Sequence, residues 1–339
     1  MRRAIIYILM LILIIYICIS GYKKPIQTKE GFSLCSRFPD YCNKKNIIVN
    51  TKNKTLSRDG ITLGYDTNFF NDPESNYTCN EKDITSTLLS QNNISVPNFY
   101  VWDKKQNILN NVQYINKNLK FPLVVKPTIG TQGYGIKTNI KNNNDLTKQV
   151  QFLLDKQNKK NKRNNILIEE QISGKDFRIT VYKGDIIGIV KRDSPYVIGN
   201  SKKTLSELIN EHKYSKYKPH NIDKNLLTKQ NVDFETIIPA NKKIILSTVN
   251  NFHNGASLTN IPLNTVHTDN LYMFKRTNQI LKKKISGIDY ISDNIAIPYY
   301  QQGAIIEVNE APDKVIHTYA FNYDEKKNYL DTFFNKFFN

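Results

Sequence analysis

The first clear pattern along the chain is an uninterrupted apolar run close to the N-terminus. Residues 4–19 carry no charge and are flanked by basic residues on both sides. A run of this length is typical of a short membrane-spanning helix or of the apolar part of a signal peptide. Residues 18–21 make a poor cleavage site, which favours an uncleaved anchor. The pattern therefore predicts a transmembrane helix or signal segment over residues 1–21, with membrane contact through residues 4–20.

Residues 22–80 are polar and only weakly periodic. Turn signals at residues 58–60 and 71–73 separate short apolar stretches, and we interpret these stretches as strands at residues 47–49 and 61–65. We therefore expect a polar region of short strands here rather than an independent domain.

From residue 80 onwards the pattern becomes that of a folded domain, and it begins with a helix. Asn80 suits the N-cap position, and Ile84, Leu88 and Leu89 recur at helical spacing. Apolar segments then alternate with polar turns, as expected of strands. These segments lie at residues 121–127, 166–168, 177–181, 186–190, 287–291 and 304–308.

A glycine-rich turn follows the strand that contains Lys126. Gly130, Gly133 and Gly135 would let backbone N–H groups approach an anion closely, and the lysine adds a positive charge at the same place. The spacing matches neither a Walker A loop nor the dinucleotide-binding fingerprint. A hairpin turn without any ligand is an equally good interpretation of this segment alone.

Charged side chains also occur inside the later strands. Arg178 and Thr180 share one face of their strand, so Arg178 can project from the sheet into a cleft or simply lie exposed. Glu307 and Asn309 likewise share a face. If the strand of Asp289 pairs beside them, three oxygen ligands converge, which suits a hard cation such as Mg²⁺. Solvated polar faces on two edge strands are the alternative.

Composition adds two constraints. The chain has 339 residues and 40% hydrophobic content, which is typical of one or two folded domains. Outside the apolar run the cysteines are an odd set, Cys35, Cys42 and Cys79, so we expect neither a disulfide scaffold nor a paired CxxC zinc site. The net charge of +18 suggests a polyanionic partner. Because Lys and Asn are frequent throughout, AT-rich coding explains the excess better, and nucleic acid is an unlikely partner.

Taken together, these residues carry a resemblance to a known family. The ordered set of Lys82, Lys126 with its glycine-rich turn, Glu169, Asp176 with Arg178, Asp289, and Glu307 with Asn309 resembles the ATP-grasp superfamily. The segment from Lys191-Arg192 to Asn200 is most similar to the ATP-grasp part of cyanophycin synthetases and bifunctional glutathione synthetases. The similarity covers roughly residues 80–325. At residue 313, where the family usually has glycine, this chain has Asp.

The resemblance implies an α+β ATP-grasp fold over residues 81–335, in which two α+β subdomains clamp ATP. By family analogy the phosphates are bound by Lys82, Lys126 and the glycines, and the adenine by Glu169 and the backbone at Gln171 and Ile172. Asp176 would bind the ribose. Asp289, Glu307 and Asn309 would bind two Mg²⁺ ions, with Mn²⁺ as a possible substitute. Arg178 and Arg192 are the candidate catalytic residues.

The activity that the resemblance implies is the ATP-dependent joining of a carboxylate to an amine through an acylphosphate. The substrates would be small amino acids or peptides, and their identity cannot be read from one sequence. A degenerate scaffold that binds nucleotide at a membrane without turnover is the alternative. We expect a single-pass, membrane-anchored protein, and the need for ATP favours a cytosol-facing domain.

Overall fold

The computed structural model describes residues 30–65, 71, 78–130, 133–156, 165–212 and 218–339. The predicted anchor at residues 1–21 lies outside the described residues. Within the described ranges, no helix combines the length and the apolar character that a membrane crossing requires.

The first described elements are two short helices followed by a small sheet. Helices α1 (Glu30–Arg37) and α2 (Pro39–Lys44) precede strands β1 (Ile48–Asn50), β2 (Thr55–Arg58) and β3 (Ile61–Gly64). The strands pair in the antiparallel order β1-β2-β3. β1 and β3 confirm the two predicted strands to within about a residue, whereas both helices and β2 were not predicted.

A disulfide joins Cys35 in α1 to Cys42 in α2. The sequence analysis expected no disulfide scaffold and did not predict this single bond. The bond forms because the bend between the two helices brings the Cα atoms to 5.7 Å, which lies within the range of disulfide geometry. Cys79 is the unpaired member of the odd set, and it is buried.

This N-terminal region packs against the last helix, α9 (Tyr323–Phe338). The buried apolar side chains at the interface include Leu34, Cys42, Ile47, Leu56, Phe333, Phe334, Phe337 and Phe338. Polar contacts reinforce it, since Tyr41 Oη donates to Asp331 at 2.8 Å and Lys45 pairs with the same carboxylate at 2.9 Å. The domain boundary at residues 80 and 81 stays a prediction.

The first of two larger sheets has four antiparallel strands in the order β4-β7-β5-β6. Its strands and flanking helices are β4 (Phe99–Val101), α4 (Ile108–Asn118), β5 (Leu123–Pro127), β6 (Lys137–Ile140), α5 (Asn143–Lys156) and β7 (Ile166–Glu170). The two helices cover one face, where Ile115, Leu146 and Val150 pack on Val125 and Ile168.

The second sheet has five antiparallel strands in the order β12-β9-β8-β13-β14. The strands are β8 (Lys175–Tyr182), β9 (Asp185–Asp193), β12 (Ser257–Asn260), β13 (Ile285–Ser292) and β14 (Ala304–Asn309). Helix α8 (Thr268–Ile280) packs on β8, β9 and β13, and helix α3 (Lys82–Gln91) covers the edge at β14. Together with the four-stranded sheet, this gives two α+β units, as predicted.

An insertion between β9 and β12 forms a small unit with its own apolar core. It consists of β10 (Tyr196–Ile198), α6 (Leu205–Asn210), α7 (Lys224–Lys229) and β11 (Lys243–Ile245). Its core contains Val197, Leu205, Leu227, Ile238 and Ile244. The sequence did not predict this unit as a separate one.

The helix predicted after residue 80 is confirmed, but its predicted N-cap is wrong by one residue. Glu81 occupies the cap position in an extended conformation, and the Thr85 N–H donates to its carbonyl at 3.0 Å. The side chain of Asn80 instead hydrogen-bonds Glu310, which lies beyond the end of β14. Asn80 is itself helical, at the end of the segment 78–80, so its backbone does not have the extended conformation of an N-cap.

Candidate active site

The five-stranded sheet brings the predicted metal and arginine positions together through its pairing register. Asp289 on β13 lies opposite Arg178 on β8 and opposite Glu307 on β14. Gly287, two residues earlier, lies opposite Asn309. The predicted pairing of the Asp289 strand beside the Glu307 strand is therefore confirmed.

Both oxygens of Asp289 are bound by Arg178. Nε of Arg178 lies 2.5 Å from Oδ1, and one terminal nitrogen lies 3.2 Å from Oδ2. Arg192 approaches the same Oδ1 at 3.2 Å and also binds Asp176 at 2.6 and 3.0 Å. Two guanidinium groups and two carboxylates thus form one buried network.

The network sets the protonation of its carboxylates. Burial alone would raise the pKa of Asp289, but Arg178 and Arg192 outweigh it and leave this pKa below its usual value. The pKa of Asp176 is raised instead, since burial and the neighbouring charge of Asp289 exceed the effect of Arg192. The two arginines therefore favour the ionised form of Asp289, and a metal ligand needs that form.

A second ion pair lies between β5 and β7. Nζ of Lys126 is 2.6 Å from Oε2 of Glu169, and both side chains are almost fully buried. The same Nζ donates to the carbonyl of Ile306 on β14 at 3.2 Å. Lys126 therefore connects the four-stranded sheet to the five-stranded sheet, at the place where the family resemblance puts a phosphate.

Glu169 also has a free acceptor. Within the described ranges, its Oε1 atom is buried without a hydrogen-bond partner. A buried carboxylate oxygen without a donor is costly unless a ligand supplies one. This atom fits the predicted contact with adenine, whose exocyclic amine is a donor.

Lys82, at the start of α3, faces both the glycine-rich turn and β14. Its Nζ donates to the carbonyl of Gly130 at 2.9 Å and lies 3.3 Å from Oε1 of Glu307. Its backbone N–H donates to the carbonyl of Thr128 at 3.0 Å. The first residue of α3 is thus bound to the turn that follows Lys126.

The three glycines of the glycine-rich turn differ in backbone conformation. Gly133 and Gly135 have φ angles of +75° and +73°, which favour glycine, whereas Gly130 has no positive φ. A Cβ atom on Gly135 would lie 2.9 Å from the side chain of Leu153 in α5. The tight packing of the turn on α5 explains Gly135, and this turn remains the candidate phosphate loop.

The other two residues predicted to contact adenine are Gln171 and Ile172. The backbone N–H of Gln171 donates to the carbonyl of Pro122 at 2.9 Å, and its side-chain Oε1 accepts from the Asn139 N–H at 2.6 Å. Gln171 and Ile172 follow Glu170, the last residue of β7, and their contact with adenine stays a prediction.

Sequence reasoning missed Asn71. This residue is 1% exposed, and its side chain makes four hydrogen bonds to backbone atoms. It accepts from the N–H groups of Lys284 and Ile285 and donates to the carbonyls of Ile285 and Glu310. Asn71 therefore joins the start of β13 to the chain just after Asn309. No pattern signals this role, because an Asn before Asp-Pro is simply typical of a turn.

The donor set fits a nucleotide with a divalent cation. Within the described ranges, no three His, Cys, Asp or Glu side chains gather as a metal cluster. The predicted set is of another kind, two carboxylates and one carboxamide, and such oxygen ligands suit Mg²⁺. Lys82, Lys126, Arg178 and Arg192 supply the positive charge that phosphates require.

Comparison with known proteins agrees with this geometry. Residues 88–236 match the family model described as D-ala D-ala ligase C-terminus. The solved bifunctional glutathione synthetase from Pasteurella multocida has a similar fold, with a TM-score of 0.59 and 16% identity over 85% of this chain and 41% of that one. The chain is similar in sequence to this ligase family over residues 88–236, and its two α+β units have the ATP-grasp fold. The predicted fold is therefore confirmed for the two α+β units.

The curated relatives that this chain resembles are named as synthetases and biosynthetic enzymes. It is 25% identical over 253 residues to the cyanophycin synthetase of Crocosphaera subtropica, which covers 70% of this chain and 28% of the relative. It is 26% identical over 274 residues to the glutathione biosynthesis bifunctional protein of Clostridium perfringens, covering 74% and 33%. The chain thus spans about a third or less of the length of these relatives.

Proposed function

We propose that the protein is an ATP-dependent ligase that joins a carboxylate to an amine, with an acylphosphate as the activated intermediate and ADP and phosphate as the other products. The observation that carries this proposal is the convergence of Asp289, Glu307 and Asn309 beside the buried cations Lys82, Lys126 and Arg178. The substrates are small amino acids or peptides, as the names of the relatives suggest for those proteins.

The residues have distinct tasks in this proposal. Glu307, Asn309 and Asp289 would hold Mg²⁺, which neutralises phosphate charge when bound. Lys82, Lys126 and the N–H groups of the glycine-rich turn would bind the phosphates. Phosphoryl transfer needs positioning and charge stabilisation more than a protein nucleophile, and the cations of this site can supply both.

The two arginines are proposed to stabilise the reacting groups. Arg178 and Arg192 lie side by side on β8 and β9, where Arg192 is opposite Asp176. Fixed guanidinium groups in a buried site can stabilise the charge that develops on the transferring phosphoryl group and on the acylphosphate. Asp176 holds Arg192 in place by two hydrogen bonds, and it is also the residue that the resemblance assigns to ribose.

The segments that surround this site are candidates for substrate selection. Residue 313 is Asp rather than the glycine usual in the family, and its carboxylate lies 3.7 Å from Nε2 of His253. Ser194 Oγ donates to Oδ1 of Asn250 at 2.9 Å. We propose that residues 193–203, 250–270 and 310–318 determine which acid and amine are joined.

The proposal is tested by ADP and phosphate release over a panel of amino acids and short peptides with MgATP. Glu307→Ala should lower substrate-dependent release by about 100-fold or more, because a bound metal supplies several kcal/mol of charge stabilisation. The matched control is Glu211→Ala, which removes the carboxylate of an exposed pair with Lys203.

Each outcome has a clear meaning. Unchanged release by Glu307→Ala would refute the metal assignment. Nucleotide binding by the wild-type protein with no turnover on any acid and amine would contradict the ligase and support the scaffold. Anchoring of the chain in a membrane through residues 4–20 stays a prediction.

A further inference from the structure

The candidate site contains a repeated arrangement that the proposed function does not require. Every cation proposed to bind phosphate already pairs with a carboxylate that has another proposed task. The pairs are Lys82 with Glu307 at 3.3 Å, Lys126 with Glu169 at 2.6 Å, and Arg178 with Asp289 at 2.5 Å. In the structure, the groups proposed for phosphate are therefore paired with the groups proposed for the metal or for adenine.

The charges in the site also balance. Arg192 is paired with Asp176, so four cations face four carboxylates. All four cations are buried or nearly so, and a buried charge that loses its partner costs several kcal/mol. A residue of one of these pairs can therefore bind a ligand only if another charged group takes its place beside its former partner.

Lys82 shows the consequence most clearly. Its Nζ can bind a phosphate oxygen only by weakening its contact with Glu307, since both would compete for the same ammonium group. Glu307, once released, is a partly buried carboxylate beside Asp289 with no cation of its own. A divalent cation is the ligand that restores its charge balance.

We propose a charge lock, by which we mean that these ion pairs keep Lys82 and Arg178 from binding a polyphosphate. The two cations become available only when Glu307 and Asp289 bind a divalent cation instead. This inference rests on the proposed function. Bound metal should therefore raise the affinity of the protein for polyphosphate, and bound polyphosphate should raise its affinity for the metal by the same factor. This increase should exceed the one that the association of metal and polyphosphate in solution accounts for.

The test is the affinity for ADP without any metal. Glu307→Gln keeps the shape of the side chain but removes the charge that holds Lys82. The full-length chain, purified in a mild non-ionic detergent because of the apolar run, is titrated with ADP in EDTA by calorimetry. We expect the variant to bind metal-free ADP about fivefold more tightly than the wild type, because a partly exposed ion pair is worth about 1 kcal/mol.

Two further variants show whether the gain comes from the lock. In a Lys82→Met background, Glu307→Gln should give no gain, because no lysine is left to be released. Glu211→Gln, which breaks the exposed pair with Lys203, should leave metal-free ADP affinity unchanged. With Mg²⁺ present, Glu307→Gln should lose most of the increase in ADP affinity that the metal gives the wild type.

The outcomes separate this inference from the proposed function. Wild-type binding of ADP with Mg²⁺, but equal or weaker metal-free binding by Glu307→Gln, overturns the charge lock and leaves the ligase proposal standing. No ADP binding by the wild type under any condition overturns both. If Glu307→Gln unfolds at a lower temperature, Asp289→Asn is measured in the same way, because it should release Arg178.

Discussion

At the scale of single residues, His317 is a buried polar group that packs on the same face of β8 as Arg178. It is fully buried, and its Nε2 lies 2.7 Å from Oγ1 of Thr180, two residues from Arg178 on β8. The ring lies over Gly188, where a Cβ atom would come within 2.7 Å of it. His317 thus holds the segment after Asn309 against the sheet.

Burial, with a smaller effect of Arg178, lowers the pKa of His317 from 6.5 to about 3. The unfolded chain therefore takes up a proton near pH 6.5, whereas the folded protein does not until the pH is far lower. Above pH 6.5, the burial of neutral His317 does not lower the free energy of unfolding. Below pH 6.5, the free energy of unfolding decreases steadily as the pH drops, because the unfolded chain binds a proton that the folded protein does not.

We therefore expect an acid-dependent loss of stability that depends on His317. Between about pH 7.5 and about pH 5, the wild type should lose about 2 kcal/mol more unfolding free energy than His317→Phe. Urea denaturation at the two pH values measures this difference. His220→Phe, a substitution of an exposed histidine, is the control. An identical pH dependence for the wild type and His317→Phe would contradict the prediction.

At the scale of elements, the disulfide fixes the bend between α1 and α2. Arg37, between the two cysteines, lies 3.7 Å above the ring of Tyr319, and its Nε donates to Oγ1 of Thr318 at 3.1 Å. These contacts reach the turn that contains His317. The disulfide therefore supports both the N-terminal region and the turn that carries His317.

In the double variant Cys35→Ser with Cys42→Ser, the free energy of unfolding should be lower by about 2 kcal/mol, because the unfolded chain gains conformational entropy when the loop is open. Chemical denaturation measures the change. Adding a reductant should weaken the wild type to the same extent and leave the double variant unaffected. A reductant effect of equal size on both proteins would assign the loss to another cause.

The elements also show what the sequence could and could not predict. Strands such as β8 and β13 were predictable because their apolar residues alternate or form continuous runs between turns. The disulfide was not, since a count of cysteines says nothing about which of them a helix bend brings together. The ion pairs were also not predictable. Lys82 and Glu307 lie far apart in sequence and meet only because α3 covers the edge of the sheet at β14.

At the scale of the whole molecule, the structure changes the meaning of the net charge of +18. The residues that the family resemblance assigns to phosphates and catalysis include four cations, Lys82, Lys126, Arg178 and Arg192. In the structure the four site cations are balanced by four carboxylates. The excess therefore lies outside the candidate site, and the site gains its affinity for anions only when its carboxylates are satisfied by other means.

The whole molecule also depends on its N-terminal region more than the family match suggests, because that match begins at residue 88. The aromatic side chains Phe333, Phe334, Phe337 and Phe338 of α9 are buried in a cluster with Leu34 and Leu56. Each fully buried leucine contributes about 2 kcal/mol relative to an exposed one, and the uncovered aromatics would form an exposed apolar patch.

A fragment of residues 78–339 should therefore aggregate or unfold at a markedly lower temperature than a fragment of residues 30–339. Size-exclusion chromatography and thermal unfolding compare the two, and binding of a hydrophobic dye reports the exposed face of α9. The longer fragment is the matched control, since it lacks the apolar run but keeps Leu34 and Leu56. A monomeric shorter fragment with the same unfolding temperature would show that α9 does not need the N-terminal region, and residues 81–335 would then be an independent domain.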